Sequence, residues 1–292
     1  MLRLFRLQGS LDTADDQANV SKMASIDSEY FGNSDQQRLQ MRADNLWKLL
    51  RDIPDYACHG RVVALANYSE HNLEQQIALA RLQGVGLVDR MPREHLAKRR
   101  AGIENAGLVT DVYDRWEGSQ ATFEATDAIL AKRSLSADLK VCAVTADTSK
   151  EDLKKLDSLT QSCDVLLPMG SFLRGFERPS IFLYAKDPDG LVVGAAAAMA
   201  QFHDDHDKGR MVWWGMLSTD LNRRGEGIAL ILGAMVLRDV RQKLGFSECF
   251  TGIRAGNLPF EALCSKLALA RTNAVDLLAI NPESIGGGQM TK

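Results

Sequence analysis

The stretch "RRGEGIA" at 223–229 constrains this chain more than any other. Before it stands "RMVWWGMLSTDL", a run that reads as a strand over 210–220. After it comes "LILGAMVLRDVRQKLG", an apolar helix with Lys243 in its last turn and Gly245 as its closing glycine. A turn that carries a strand into a helix leaves the first-turn N–H groups unpaired at the positive end of the helix dipole. Glycines there let a phosphate approach the backbone, and Arg224 adds a charge-assisted contact. The spacing therefore predicts a pyrophosphate cradle at 224–229. The same R-x-x-G-x-[G/A] pattern recurs as "RLQGVG" at 81–86. That copy falls at the end of a helix, where the unpaired groups are carbonyls, so Gly84 reads as a helix-ending glycine.

The rest of the chain divides by rhythm. Residues 1–33 are polar and irregular and read as a flexible tail, as do 283–292. A capped helix follows from Asn33 to Pro54. Strands "RVVALAN", "VGLVDRM" and "LVTDVYDRW" then alternate with helical segments over 34–134, which predicts a smaller, largely parallel α/β unit. "LSADL" at 135–139 is the weakly marked boundary. From 139 to 282 the order is strand, helix, hairpin, strand, helix, strand, helix, strand, with Asp187-Pro188-Asp189-Gly190 as strong hairpin chemistry. The alanines 195–198 favour helix by propensity, but the tight turn before them argues for strand.

Composition excludes several classes. Net charge is −3 with 25% charged residues, so no basic field points to nucleic acid or an anionic membrane. No run reaches the roughly 18 apolar residues of a membrane span, and "MLRLFRLQGS" lacks the apolar core of a signal peptide. Five cysteines without CxxC spacing argue against a disulfide framework or a zinc site. A cytoplasmic setting and no metal are the expectations. Adjacent Cys58-His59 could suggest a cysteine hydrolase, but neighbours in sequence rarely pair as nucleophile and base.

The loop and its surroundings resemble the GNAT superfamily of acyl-CoA-dependent N-acyltransferases. Its signature R/Q-x-x-G-x-G/A lies between the fourth strand and third helix of a β-α-α-β-β-β-α-β-α-β fold. "NLPFEALCSKLAL" at 257–269 is similar to the family's N-x-x-A-x-x-L-Y-x-K segment, with Asn257, Leu263 and Lys266 in register. The resemblance covers 139–282, about half the chain. It implies an α/β (α+β) fold, a GNAT-like mixed sheet with flanking helices after the N-terminal unit.

The resemblance also implies roles. The N–H groups of Arg224, Gly225, Glu226, Gly227, Ile228 and Ala229 would hold the coenzyme A pyrophosphate. Leu217, Ser218 and Thr219 would pair with the pantetheine arm, and Asn257 would line its far side. Acetyl-CoA or another acyl-CoA would be the co-substrate, attacked directly by an amine. The family's tyrosine, which protonates the leaving thiolate, is replaced by Cys264. A thiol with a reference pKa of about 8.5 could serve, though a buried inert cysteine is the plainer reading. The fourth-strand segment has no glutamate base. Asp220, Glu248, His203 and His206 are the alternatives, and "HDDHDKG" reads most simply as a solvated loop. Trp213 and Trp214 alternate faces, so at most one meets the site.

Three functions remain open on this reading. The first is transfer of an acyl group, most simply acetyl, to a small-molecule amine such as an amino sugar, amino acid or polyamine. The others are a non-catalytic acyl-CoA sensor or scaffold, and a protein-directed acetyltransferase. A homodimer is compatible with each.

Overall fold

The computed structural model describes residues 29–284. Ten strands form one mixed sheet in the order β1-β2-β3-β10-β4-β9-β8-β7-β6-β5. In chain order they are β1 (Tyr56–Cys58), β2 (Val63–Leu65), β3 (Val85–Pro92), β4 (Val109–Gly118), β5 (Lys140–Ala143), β6 (Ser180–Lys186), β7 (Val192–Ala200), β8 (Met211–Thr219), β9 (Glu248–Arg254) and β10 (Ala270–Ile280). The helices are α1 (Ser34–Leu50), α2 (Leu73–Gln83), α3 (Leu96–Asn105), α4 (Gln120–Lys132), α5 (Lys150–Ser162), α6 (Gly170–Leu173), α7 (Ile228–Leu244) and α8 (Leu258–Lys266). From β5 onward the order is β-α-α-β-β-β-α-β-α-β, as expected. Among the described residues no helix is long and apolar enough to cross a membrane.

The alanine run is a strand, buried along its whole length. Its small side chains explain how it lies between helices on both faces. Ala196 and Ala198 pack into the cluster built on α7, while Ala195 and Ala197 pack with Leu153 and Leu156 of α5. Gly194 continues the first row, and a Cβ there would stand 2.4 Å from Cγ2 of Ile228. Propensity yields to packing here. The apolarity of α7 has the same cause, since Ile228, Leu230, Ile231, Leu232 and Leu237 are all buried.

The N-terminal half differs from the expected, largely parallel arrangement. Only β2 and β3 are parallel, with Ala64 opposite Leu87. β3 and β4 are not neighbours, because β10 lies between them and runs antiparallel to both. β4 in turn pairs with β9 through Tyr113↔Arg254 to Gly118↔Cys249. Local alternation of strand and helix carries no record of such a non-local insertion. The expected boundary at 135–139 therefore falls within one continuous sheet. Of the expected tails, 1–28 and 285–292 lie outside the described residues. Residues 29–33 are packed: Glu29 holds Arg174 at 2.7 Å, Phe31 is buried, and Asn33 caps α1 with Gln36 in a reciprocal capping box.

Candidate functional site

β8 and β9 are parallel neighbours for three residues, from Met211↔Glu248 to Trp213↔Phe250, and then part company. The divergence begins at a bulge. Ala195 pairs with Ser218 and Ala197 with Gly215, so Met216 and Leu217 together face Ala196. Met216 takes a left-handed φ of 60°, which for a side chain of this kind costs about 1 kcal/mol. Gly215 has no Cβ for a packing reason, since one would sit 2.6 Å from the Trp213 ring. The open strands leave a cavity of about 710 Å³ that continues to the α7 N-terminus.

The outer end of this cavity carries the glycine turn for which the sequence predicts a cradle. Gly225 and Gly227 have φ of 85° and 79°, and a Cβ on Gly225 would meet nothing within 4 Å. The glycines are there for backbone conformation, and the space above them is open. No side chain caps α7, so its first N–H groups are left for a ligand. The turn is braced from outside: Arg223 donates to Glu226 at 2.7 and 2.8 Å and to Asp138 at 3.2 Å. The Arg223 guanidinium accordingly holds the Glu226 carboxyl below its usual range. Exposed Arg133, Arg224 and Lys266 line the same cavity. Gly84, by contrast, is the left-handed cap of α2, as expected of the other copy.

Most of the expected coenzyme residues come together here. Leu217, Thr219, Arg224, Gly225, Gly227, Ile228, Ala229 and Asn257 all line the cavity. Ser218 alternates to the other side of β8, where its buried hydroxyl has no partner. The Glu226 side chain turns to Arg223. Asn257 caps α8 through its Oδ1, 3.3 Å from the Phe260 N–H.

The four expected catalytic side chains lie outside the cavity wall. Cys264 is buried in the core with Cys249 and Leu267, and burial pushes its thiol up, away from easy proton exchange. Asp220 accepts from the Asn222 N–H at 2.9 Å and starts the 221–223 turn. Glu248 sits at the closed end of the β8–β9 pair, 3.8 Å from Lys208. His203 accepts from the Asp205 N–H at 3.2 Å in its loop. His206 is buried against Phe202 and bonded to Asn67. Tyr184 bonds Asp152 and is likewise outside. Of the two tryptophans, Trp214 bonds Gly233 in the core while Trp213 lines the cavity.

The inner end is built from residues of both halves, none of which except His59 the sequence reading singled out. Asp89 of β3 and Asp276 of β10 both reach the buried Arg115, at 3.3 and 2.9 Å, and Gln201 donates to Asp89 at 2.8 Å. Burial and the neighbouring Asp276 carboxylate raise the Asp89 pKa well above the carboxylate range. Arg61 and His59 complete this wall, with Tyr113 from β4. The signal was present: a charge inside an apolar strand ("VGLVDRM") or directly before one ("RVVALAN") marks a polar group that folding must bury.

No protein-family model matches the chain, and no curated protein does. Solved structures do. A Drosophila protein from a structural genomics programme matches with a TM-score of 0.51 at 12% identity, over 93% of this chain and 97% of that one. A GCN5-related N-acetyltransferase from Kribbella flavida matches at 0.49 and 10%, over 83% and 95%. A tandem GNAT protein from the clavulanic acid biosynthesis pathway matches at 0.49 and 11%, over 75% and 74%. At such identities the likeness concerns the fold. The order from β5 to β10 and the parting of β8 from β9 above a glycine turn are the arrangement that the resemblance of the sequence motifs to the GNAT superfamily implies, and the likeness to the Drosophila protein is one of fold alone.

Proposed function

We propose that this protein moves an acyl group, most simply acetyl, from coenzyme A to the amine of a small molecule. The observation that carries the reading is the uncapped start of α7, opening onto a cavity that continues between β8 and β9 to a buried polar end. In this reading the pyrophosphate lies on the N–H groups of 225–229, and the pantetheine arm follows Leu217 to Thr219 past Asn257. The thioester then reaches the bulge at Met216, beside Trp213.

The amine nitrogen attacks the thioester carbon, the C–S bond breaks, and the nitrogen gives up a proton. Asp89 is the cavity carboxylate suited to take it, because a raised pKa makes it a better base near neutrality. Tyr113, whose hydroxyl lies 3.1 Å from both Asp111 and Arg254, is the tyrosine placed to return a proton to the thiolate. Alignment of the two reactants in the cavity supplies much of the rate, since effective molarities reach on the order of 10⁵ M. A second reading, coenzyme binding without turnover, is favoured by the burial of Cys264 where relatives carry a tyrosine.

Calorimetric titration with coenzyme A, acetyl-CoA and longer acyl-CoAs tests the reading. Micromolar binding is expected, lost in Gly227→Arg, where a side chain would enter the cradle on a left-handed residue. Absence of binding by all of them would overturn it. Binding without coenzyme release against any amine would select the second reading.

A further inference from the structure

Arg61 is a buried cation with no counterion. Its residue is 8% exposed, and among the described residues no carboxylate pairs with it. Its Nη2 is directed at Met216 Sδ, and the guanidinium lies over the Trp213 ring, 4.9 Å from the centroid. Its Nε has no partner at all. Neither a thioether nor a ring face replaces the water that such a group gives up on burial. Next to it the Nδ1 of His59 is likewise buried and unpartnered, and burial together with Arg61 lowers that histidine to about 3.

These orphans line the cavity, and they do so where β8 and β9 part. Acidic side chains line the same cavity. The Cys58 N–H donates to the Gln201 carbonyl at 3.0 Å, and the Gln201 side chain holds Asp89. Asp276 faces the same space. One cavity thus holds an unpaired guanidinium and, elsewhere on its wall, an acidic pair that shares the buried Arg115. A molecule carrying both charges fits it: a carboxylate on Arg61 and an amine toward Asp89.

We propose that the acceptor is an amino acid, whose carboxylate is read by Arg61 while its amine faces the thioester. The inference rests on the acyltransferase reading above. A planar guanidinium with a free Nε offers the two-pronged contact that a carboxylate accepts. Burial away from water makes that contact selective, since an amine without the carboxylate leaves the cation unmet.

The test uses the full chain and two variants, Arg61→Met and Arg61→Lys. One arm measures acetyl-CoA binding by calorimetry in all three. The other measures coenzyme A release with a panel of amino acids and their carboxamides. Acetyl-CoA is expected to bind all three proteins alike. Wild type is expected to prefer the acids, and Arg61→Met to lose roughly 10- to 100-fold in kcat/KM for them, the size of a lost charged hydrogen bond, with partial recovery in Arg61→Lys. Arg61→Met is also expected to melt no lower than wild type, because it removes an unpaired buried charge; a purely structural arginine would show the opposite. Intact coenzyme binding with equal use of acids and amides, or with an indifferent Arg61→Met, would overturn the amino-acid assignment alone. Failure of acetyl-CoA to bind wild type would overturn the acyltransferase reading and this inference with it.

Discussion

A carboxylate and a guanidinium that would be ordinary on the surface become chemically distinctive here because β2 and β3 are covered. Asp89 accepts from Gln201 and Arg115 yet stays raised, since burial and Asp276 outweigh both contacts. As the base it must be deprotonated, so kcat/KM should climb as pH rises through its raised pKa. Asp89→Asn should remove that limb and lower kcat about 100-fold, a typical loss for a general base; an unchanged profile would exclude the role. His59 acts on stability. Its folded pKa of about 3 lies below the usual 6.5, so below pH 6.5 the unfolded chain binds the extra proton. The stabilising difference is whole above 6.5 and is lost as pH falls towards 3. Urea unfolding at pH 7 and 4.5 should show His59→Gln losing less on acidification than wild type, and equal losses would contradict this assignment.

Elements were legible wherever local chemistry writes them. The Asn33 capping box, the Asp187–Gly190 turn, the Gly84 and Gly245 caps and the "RRGEGIA" start of α7 lie where turn and cap rules put them. The pairing of β10 with β3 and β4 was not legible, because period and propensity describe a strand and never its neighbours. The acidic inner end went unread for the same reason, as Asp89 and Asp276 meet only through that pairing. Within the elements, the contact of Gly194 with Ile228 couples β7 to the cradle. Gly194→Val should cost about 1–3 kcal/mol by overpacking, read as a lower urea midpoint. By displacing the first residue of α7 it should also weaken coenzyme A binding, and unchanged affinity would show the cradle to be independent of β7.

At the scale of the whole molecule, the two segments that look separate in sequence share one sheet and one cavity. The cradle belongs to the later segment, while Asp89, Arg61 and Tyr113 belong to the earlier one. Cutting the chain at 135–139 should therefore give two fragments that fail to fold singly, measured by circular dichroism and amide exchange. A folded 139–284 fragment with native-like protection would refute this. Co-expression should restore some folded material, because the cut falls in a loop. The insertion of β10 has a further consequence for synthesis on the ribosome. Nine strands of the sheet emerge before the one that separates β3 from β4. Until residues 270–280 leave the exit tunnel, those two strands present open edges, the surfaces most prone to wrong partnering. The nascent chain thus completes its sheet late, and holding those edges apart during translation is a task for the chaperones that meet it.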